Sequence, residues 1–165
     1  SYDRNKELMN EVKEYEYPYQ EDHSELEVEI LNATAPVPDS YLERSEHCHI
    51  AKWYSYPQKI RKFIEWIEET TDCKLVNLWG VWYRDGGGIK WHAHASEEIK
   101  YSFVYYIKVP ENSSSICFAR DPNDSDTWTS VPIEKGHCLV WEKELPHSVA
   151  PSDHAGRCVL SGNLR

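Results

Sequence analysis

Positive charge is scarce in this chain: 18 Lys and Arg face 28 Asp and Glu, for a formal net charge of −10. That balance argues against sequence-blind binding to nucleic acid, which needs a basic face. The deficit is uneven. Residues 1–30 hold ten acids and three bases, a net of −7, which leaves −3 for the rest. The acidity therefore belongs to an N-terminal arm, whose simplest role is a solvated surface. No apolar run approaches the roughly 20 residues that span a bilayer, and no signal-peptide pattern opens the chain. No Cys-x-x-Cys occurs among the cysteines at 48, 73, 117, 138 and 158. Their irregular spacing is that of reduced thiols, mostly buried as small hydrophobes. These absences predict a cytoplasmic protein with no membrane segment. Internal repeats and low-complexity segments are also missing.

What remains is enough for a folded domain. At 165 residues with 40% apolar and 13% aromatic side chains, the sequence excludes disorder and supports a single domain with a real core. Residues 1–72 are expected to form the acidic arm and a supporting helix, and residues 73–165 the core. Leu8, Met9 and Val12 permit a short, weak helix over 1–14, broken around Tyr15 to Tyr19 by Pro18. Residues 26–31 alternate acids with apolar side chains and predict an edge strand. Residues 35–39 read as a loop. Residues 57–71 give the clearest helix. Pro57 suits a first turn, and Ile60, Phe63, Ile64 and Ile67 fall at i, i+3, i+4 and i+7. Short strands are then predicted near 74–84, 89–94, 101–109, 115–119, 128–131, 137–142, 146–150 and 157–163, separated by Gly-, Pro-, Asn- and Asp-rich turns. Eight such strands in two Greek keys make a jelly roll, a double-stranded β-helix.

One group of residues carries chemistry. Trp91-His92-Ala93-His94 closes a strand, Leu145-Pro146-His147-Ser148-Val149 follows much later, and Arg157 comes ten residues after His147. Strand side chains alternate, so His92 and His94 share a face. Two imidazoles on one face can hold a metal ion. A third from a distant strand completes a triangle and leaves positions open for other ligands. Imidazole suits Fe, Zn, Cu and Ni alike, so the ligand type does not name the ion. Elsewhere, His47 and His49 flank Cys48 in a weaker candidate zinc trio, Glu97 and Glu98 are near enough to His94 to replace it, and His137 and His154 read as solvent-facing or as neighbours of the ligands, not as ligands themselves. Trp82, Trp91 and Trp141 are candidate walls of a ligand cleft.

Several stretches resemble a known family. Tyr83-Arg84-Asp85-Gly86-Gly87-Gly88-Ile89-Lys90-Trp91-His92-Ala93-His94 is similar to the segment leading to the first metal ligands in Fe(II)/2-oxoglutarate oxygenases. Ser102-Phe103-Val104-Tyr105-Tyr106-Ile107-Lys108-Val109-Pro110 resembles the next strand of the prolyl 4-hydroxylase-like branch, including its bacterial and phage-type members. Gly136-His137-Cys138-Leu139-Val140-Trp141 and His147-Ser148-Val149-Ala150-Pro151 resemble that branch's "G-x-L-x-x-F … H-x-V-x-P", and 157–163 its closing arginine strand. The likeness covers roughly residues 74–165. It departs at His94, where the usual ligand is a carboxylate. A set of three neutral imidazoles leaves the metal its full double charge, which strengthens the hold on an anionic chelator and raises the redox potential.

The resemblance implies a non-haem Fe(II) enzyme that uses 2-oxoglutarate and O2 to hydroxylate a small-molecule or peptidyl substrate. It implies metal ligation by His92, His94 and His147. Arg157 becomes the anchor for the distal carboxylate, since a guanidinium fits a carboxylate bidentately. Ser161 and Asn163, on the strand face of Arg157, match positions of the closing strand, while Val159 stands where many relatives carry Ser or Thr. Tyr105 or Tyr101, which can share a face, is the candidate hydroxyl partner for 2-oxoglutarate. Two other readings stay open. One is a cupin-like three-His metalloprotein, a thiol dioxygenase or a zinc or nickel protein, that needs no 2-oxoglutarate. The other is a non-catalytic metabolite-binding jelly roll. An Arg157 turned into the cleft favours 2-oxoglutarate over the cupin-like reading, whereas a non-catalytic jelly roll would bind no redox metal and show no turnover.

Overall fold

The computed structural model describes residues 2–36, 48–51, 53–152 and 155–165. The chain runs through helix α1 (Tyr2–Glu11), strand β1 (Lys13–Glu16), a 3-10 turn at Gln20–Asp22, helix α2 (His23–Ala33), strands β2 (Thr34–Pro36) and β3 (Cys48–Ala51), and helix α3 (Gln58–Thr71). Eight strands follow: β4 (Leu75–Tyr83), β5 (Gly87–His92), β6 (Tyr101–Lys108), β7 (Ile116–Phe118), β8 (Thr129–Val131), β9 (His137–Glu142), β10 (His147–Ser152) and β11 (Cys158–Leu164). These eight fall close to where the alternation and turn signals put them, with one correction: β5 ends at His92 and not at 94, so His94 lies in the following loop and does not share a strand face with His92.

The strands form two antiparallel sheets. The larger has the order β1-β9-β6-β11-β4-β3-β2 and the smaller β5-β10-β7-β8. One apolar core fills the space between them, from Val81, Tyr106, Phe118, Trp141 and Val159 among others. A second core lies on the opposite face of the large sheet, under α2 and α3. Alternation along β6 and β11 feeds both: Val104 and Tyr106 point to the first, Phe103 and Tyr105 to the second. Helix α3 buries Ile60, Phe63 and Ile67 completely in this second core. Its N-terminus is capped from α2, where the Glu29 carboxylate accepts from the backbone N–H groups of Lys59 at 3.2 Å and Ile60 at 3.0 Å. Helix α2 lies close on the sheet because Gly80 has no side chain there. A Cβ at that position would come within 2.9 Å of Ile30.

Residues 26–31 are not an edge strand but the middle of α2. The alternation was misleading because Leu26 and Ile30, four residues apart, are the two buried positions, while Val28 and Leu31 are exposed. The expected loop at 35–39 begins as β2, whose Ala35 pairs with Ile50; residues 37–39 lie outside the described ones. The arm also contributes structure. Leu8 and Val12 are buried in the inter-sheet core, and β1 pairs with β9 from Lys13↔Val140 to Glu16↔His137. The acidic residues of α1 and β1 for which exposure is described face outward.

Candidate metal centre and its cavity

His92 ends β5, His94 follows in the next loop, and His147 opens β10. The two strands pair with His92 opposite His147, and these rings lie 4.1 Å apart, centroid to centroid. The His94 ring is 5.5 Å from His92 and 5.9 Å from His147. One ring nitrogen from each of the three lies within 4.8 Å of the others. Each Nδ1 faces an oxygen: the Lys90 carbonyl at 2.8 Å for His92, the Leu145 carbonyl at 3.0 Å for His147, and Oδ1 of Asn163 at 2.6 Å for His94. A main-chain carbonyl oxygen only accepts, so in His92 and His147 Nδ1 carries the hydrogen and Nε2 is the nitrogen suited to a metal. Burial above all, then the neighbouring His92 and His94, push the His147 imidazole down to about 3. It is therefore neutral across the physiological range, the state in which imidazole binds a metal. Three neutral nitrogen donors fit a transition metal such as iron, zinc, copper or nickel.

The histidines line a narrow cavity of about 40 Å³, within a cleft of about 500 Å³ counted with its open mouth. Arg157 lies on the same wall, immediately before β11, and is 1% exposed. Its guanidinium carbon sits 5.2 Å from the Tyr83 ring centroid and 5.5 Å from that of Tyr106. Nη1 donates to the Ser114 carbonyl. Among the described residues no carboxylate comes within ion-pair distance of it. Among the described residues, Arg157 Nε and Trp141 Nε1 on this wall have no hydrogen-bond partner, and the Tyr106 hydroxyl has no close one beyond the pull of the adjacent Arg157 guanidinium. Unpaired buried donors are costly and mark a place where a polar group is missing. Burial raises Tyr106 to about 12 against the opposing pull of Arg157, so its hydroxyl stays protonated.

The alternation of each strand decides which other expected residues reach the cavity. Ser161 lines it. Tyr105 does not: it is fully buried on the helix side, where its hydroxyl pairs with His23. Tyr101 also packs into the helix-side core. The odd-numbered face of β6 is the more aromatic one and meets the helices, and the even-numbered face, with Ser102, Val104 and Tyr106, meets the cavity. Asn163 is turned to His94 and is absent from the lining. Trp141 is a wall residue, with its ring 4.8 Å from that of His147. Trp82 instead packs in the helix-side core beneath Lys108. Trp91 points away from His92 and stacks with Trp128 at 5.3 Å. Glu97 and Glu98 are exposed and stand outside the histidine group. His137 bonds Glu14 at 2.5 Å. His47 and His154 lie outside the described residues. Sequence reasoning gave no specific role to Tyr83, Trp79, Tyr106 or Ser102, all of which line the cavity. The last had a visible signal, as the lone small polar residue in an aromatic strand.

No family model and no curated protein matches the sequence. Solved structures do. A prolyl-4-hydroxylase from Pseudomonas putida superposes with a TM-score of 0.69 at 14% identity, covering 94% of this chain and 92% of that one. The viral collagen prolyl hydroxylase of Paramecium bursaria Chlorella virus-1, solved in complex with 2-oxoglutarate, gives 0.66 at 10% identity over 94% and 96%. HygX from Streptomyces hygroscopicus, with nickel and 2-oxoglutarate bound, gives 0.68 at 10% over 93% and 82%. At such identities the likeness is one of fold, and the fold is the double-stranded β-helix those enzymes share.

Proposed function

We propose that the chain is a non-haem Fe(II)/2-oxoglutarate-dependent oxygenase that hydroxylates a small-molecule or peptidyl substrate while 2-oxoglutarate is decarboxylated to succinate. One observation carries the reading. Arg157 is a buried guanidinium with no carboxylate partner among the described residues, on the wall of the cavity that holds three convergent histidines. A buried cation without an anion is strongly destabilising unless a ligand supplies one. The bound 2-oxoglutarate of two structures of this fold supports the same reading.

His92, His94 and His147 would hold the iron through Nε2. The iron, when bound, supplies the activation of O2. The protein's own share is placement and exclusion of water. Arg157 receives the distal carboxylate, held between the faces of Tyr83 and Tyr106. The Tyr106 hydroxyl, kept protonated by burial, donates a second hydrogen bond. Trp141 and Phe118 pack beside His147 and keep that side of the site dry. A three-His cupin without 2-oxoglutarate has no use for an unpaired guanidinium in the cleft, and is disfavoured for that reason.

Calorimetry of 2-oxoglutarate or N-oxalylglycine with the metal-loaded protein is the test. Losing a charge-assisted pair costs about 1.5–3 kcal/mol, so Arg157→Ala should weaken binding by roughly ten- to a hundred-fold. Equal affinity of wild type and variant, or no binding by either, rejects the proposal.

A further inference from the structure

Asn163 occupies a position that metal binding alone does not require. It is 3% exposed, in the middle of the large sheet. Its neighbours across the strands, in register, are Asn77 on β4 and Ser102 on β6. The three form a polar row over three adjacent strands. Asn163 Nδ2 donates to Asn77 Oδ1 at 2.7 Å, and the Ser102 hydroxyl donates to Asn163 Oδ1 at 2.8 Å. The row ends on His94, whose Nδ1 lies 2.6 Å from the same Asn163 Oδ1. The Ser102 oxygen is also 3.2 Å from His94 Nδ1.

We infer that Asn163, held by Asn77 and Ser102, is a positioning residue that fixes His94 in the Nδ1–H tautomer and aims its Nε2 at the metal. The inference rests on the metal-binding reading given above. The argument is one of hydrogen-bond polarity. With Nδ2 committed to Asn77 and Oδ1 to Ser102, the Asn163 amide presents an acceptor to His94. An acceptor there requires a hydrogen on Nδ1, which keeps Nε2 bare. A turned-over amide would present a donor, place the hydrogen on Nε2 and remove the ligand. His92 and His147 need no such device. Each donates to a main-chain carbonyl two residues away in its own chain, and a carbonyl cannot turn into a donor. His94 lies in a loop beyond the strand end, and its ring nitrogen takes its acceptor from a side chain 69 residues away. Outer partners that orient a ligating imidazole typically contribute ten- to a hundred-fold to metal affinity.

The test uses the full chain and Co(II), whose absorption reports its ligands. Wild type, Asn163→Leu, Asn163→Asp and Asn77→Ala are titrated, with His147→Ala as the control that lacks a ligand. Asn77 is exposed, so its replacement leaves the fold intact even if a buried substitution does not. Asn163→Leu should weaken Co(II) binding about ten- to a hundred-fold. Asn163→Asp, which still presents only acceptors, should restore it, whereas a merely structural role would favour the uncharged Leu. In the metal-free protein, nitrogen chemical shifts of the His94 ring should report the Nδ1–H tautomer in wild type and a mixture in Asn163→Leu and Asn77→Ala. Tight Co(II) binding by wild type with unchanged affinity and tautomer in both variants overturns the role of Asn163 and leaves the metal centre standing. Absence of Co(II) binding by wild type overturns the metal centre and the inference with it.

Discussion

At the residue scale, the two faces of β6 make separable predictions. Tyr106 lies beside Arg157, its hydroxyl without another close partner, and Tyr105 lies across the sheet with its hydroxyl on His23. Tyr106→Phe should therefore weaken 2-oxoglutarate binding by up to about tenfold, the worth of one hydrogen bond, and leave stability nearly unchanged. Tyr105→Phe should do the reverse. It strips the buried His23 of its partner and should cost about 1–3 kcal/mol in urea unfolding without touching affinity. Affinity lost in Tyr105→Phe and kept in Tyr106→Phe would mean that the register is misassigned. His23 also predicts a pH dependence. Burial, with Lys135 adding to it, pushes its imidazole from 6.5 down to about 4. Below pH 6.5 the unfolded chain takes up a proton that the folded chain refuses. The stability contribution is thus complete above 6.5 and declines as pH falls toward 4. His147, at about 3, acts in the same direction. Each can remove up to about 1.4 kcal/mol per pH unit. Between pH 7.5 and 5 the His23→Gln variant should lose about 2 kcal/mol less stability than wild type; parallel losses would exclude His23 as the source.

At the element scale, α2 is the hinge between what sequence showed and what it hid. Its Glu29 caps α3, its Ile30 fits over Gly80, and its start is tied down where Asp22, 4% exposed, pairs with Lys59 and Lys62, each at 3.1 Å. Burial pushes the Asp22 carboxyl up, but the hydrogen bonds and charges of Lys62 and Lys59 outweigh it and hold it below the usual range. Glu29→Ala should destabilise the protein by about 0.5–2 kcal/mol, as loss of a helix cap does, read as a lower urea midpoint at unchanged slope. No shift would mean the backbone N–H groups of α3 find water instead. None of these contacts is visible along the chain, because they join residues about 30 to 50 positions apart. The local pattern of residues 26–31 fits a strand as well as a helix, and only the packing of Leu26 and Ile30 decides. Helix α3 was legible because its apolar stripe is unambiguous.

At the scale of the whole molecule, the acidic arm is part of the sheet and the core. Its β1 strand covers the edge of β9, next to the strand that carries Tyr106, while Leu8 and Val12 fill the core behind Trp141. Removing residues 1–16 should cost several kcal/mol, since each buried aliphatic side chain contributes about 1.5–3 kcal/mol. It should also open β9 to edge pairing and association. Scanning calorimetry and light scattering of the truncated chain check both; an unchanged melting temperature in a monomer would return the arm to a solvated surface. By itself, the sequence determined the eight strands of the jelly roll and the α3 helix, because alternation and helical period are local; alternation did not determine the place of His94, which lies in a loop beyond the end of β5. Motif resemblance pointed to Arg157 and His147, which the fold brings to the wall of one cavity. Only the tertiary structure decided which face of β6 meets the cavity, since both faces are apolar and the choice belongs to the helices that cover one of them. It alone turned Asn163 to His94, because that contact depends on the register of three strands distant in sequence.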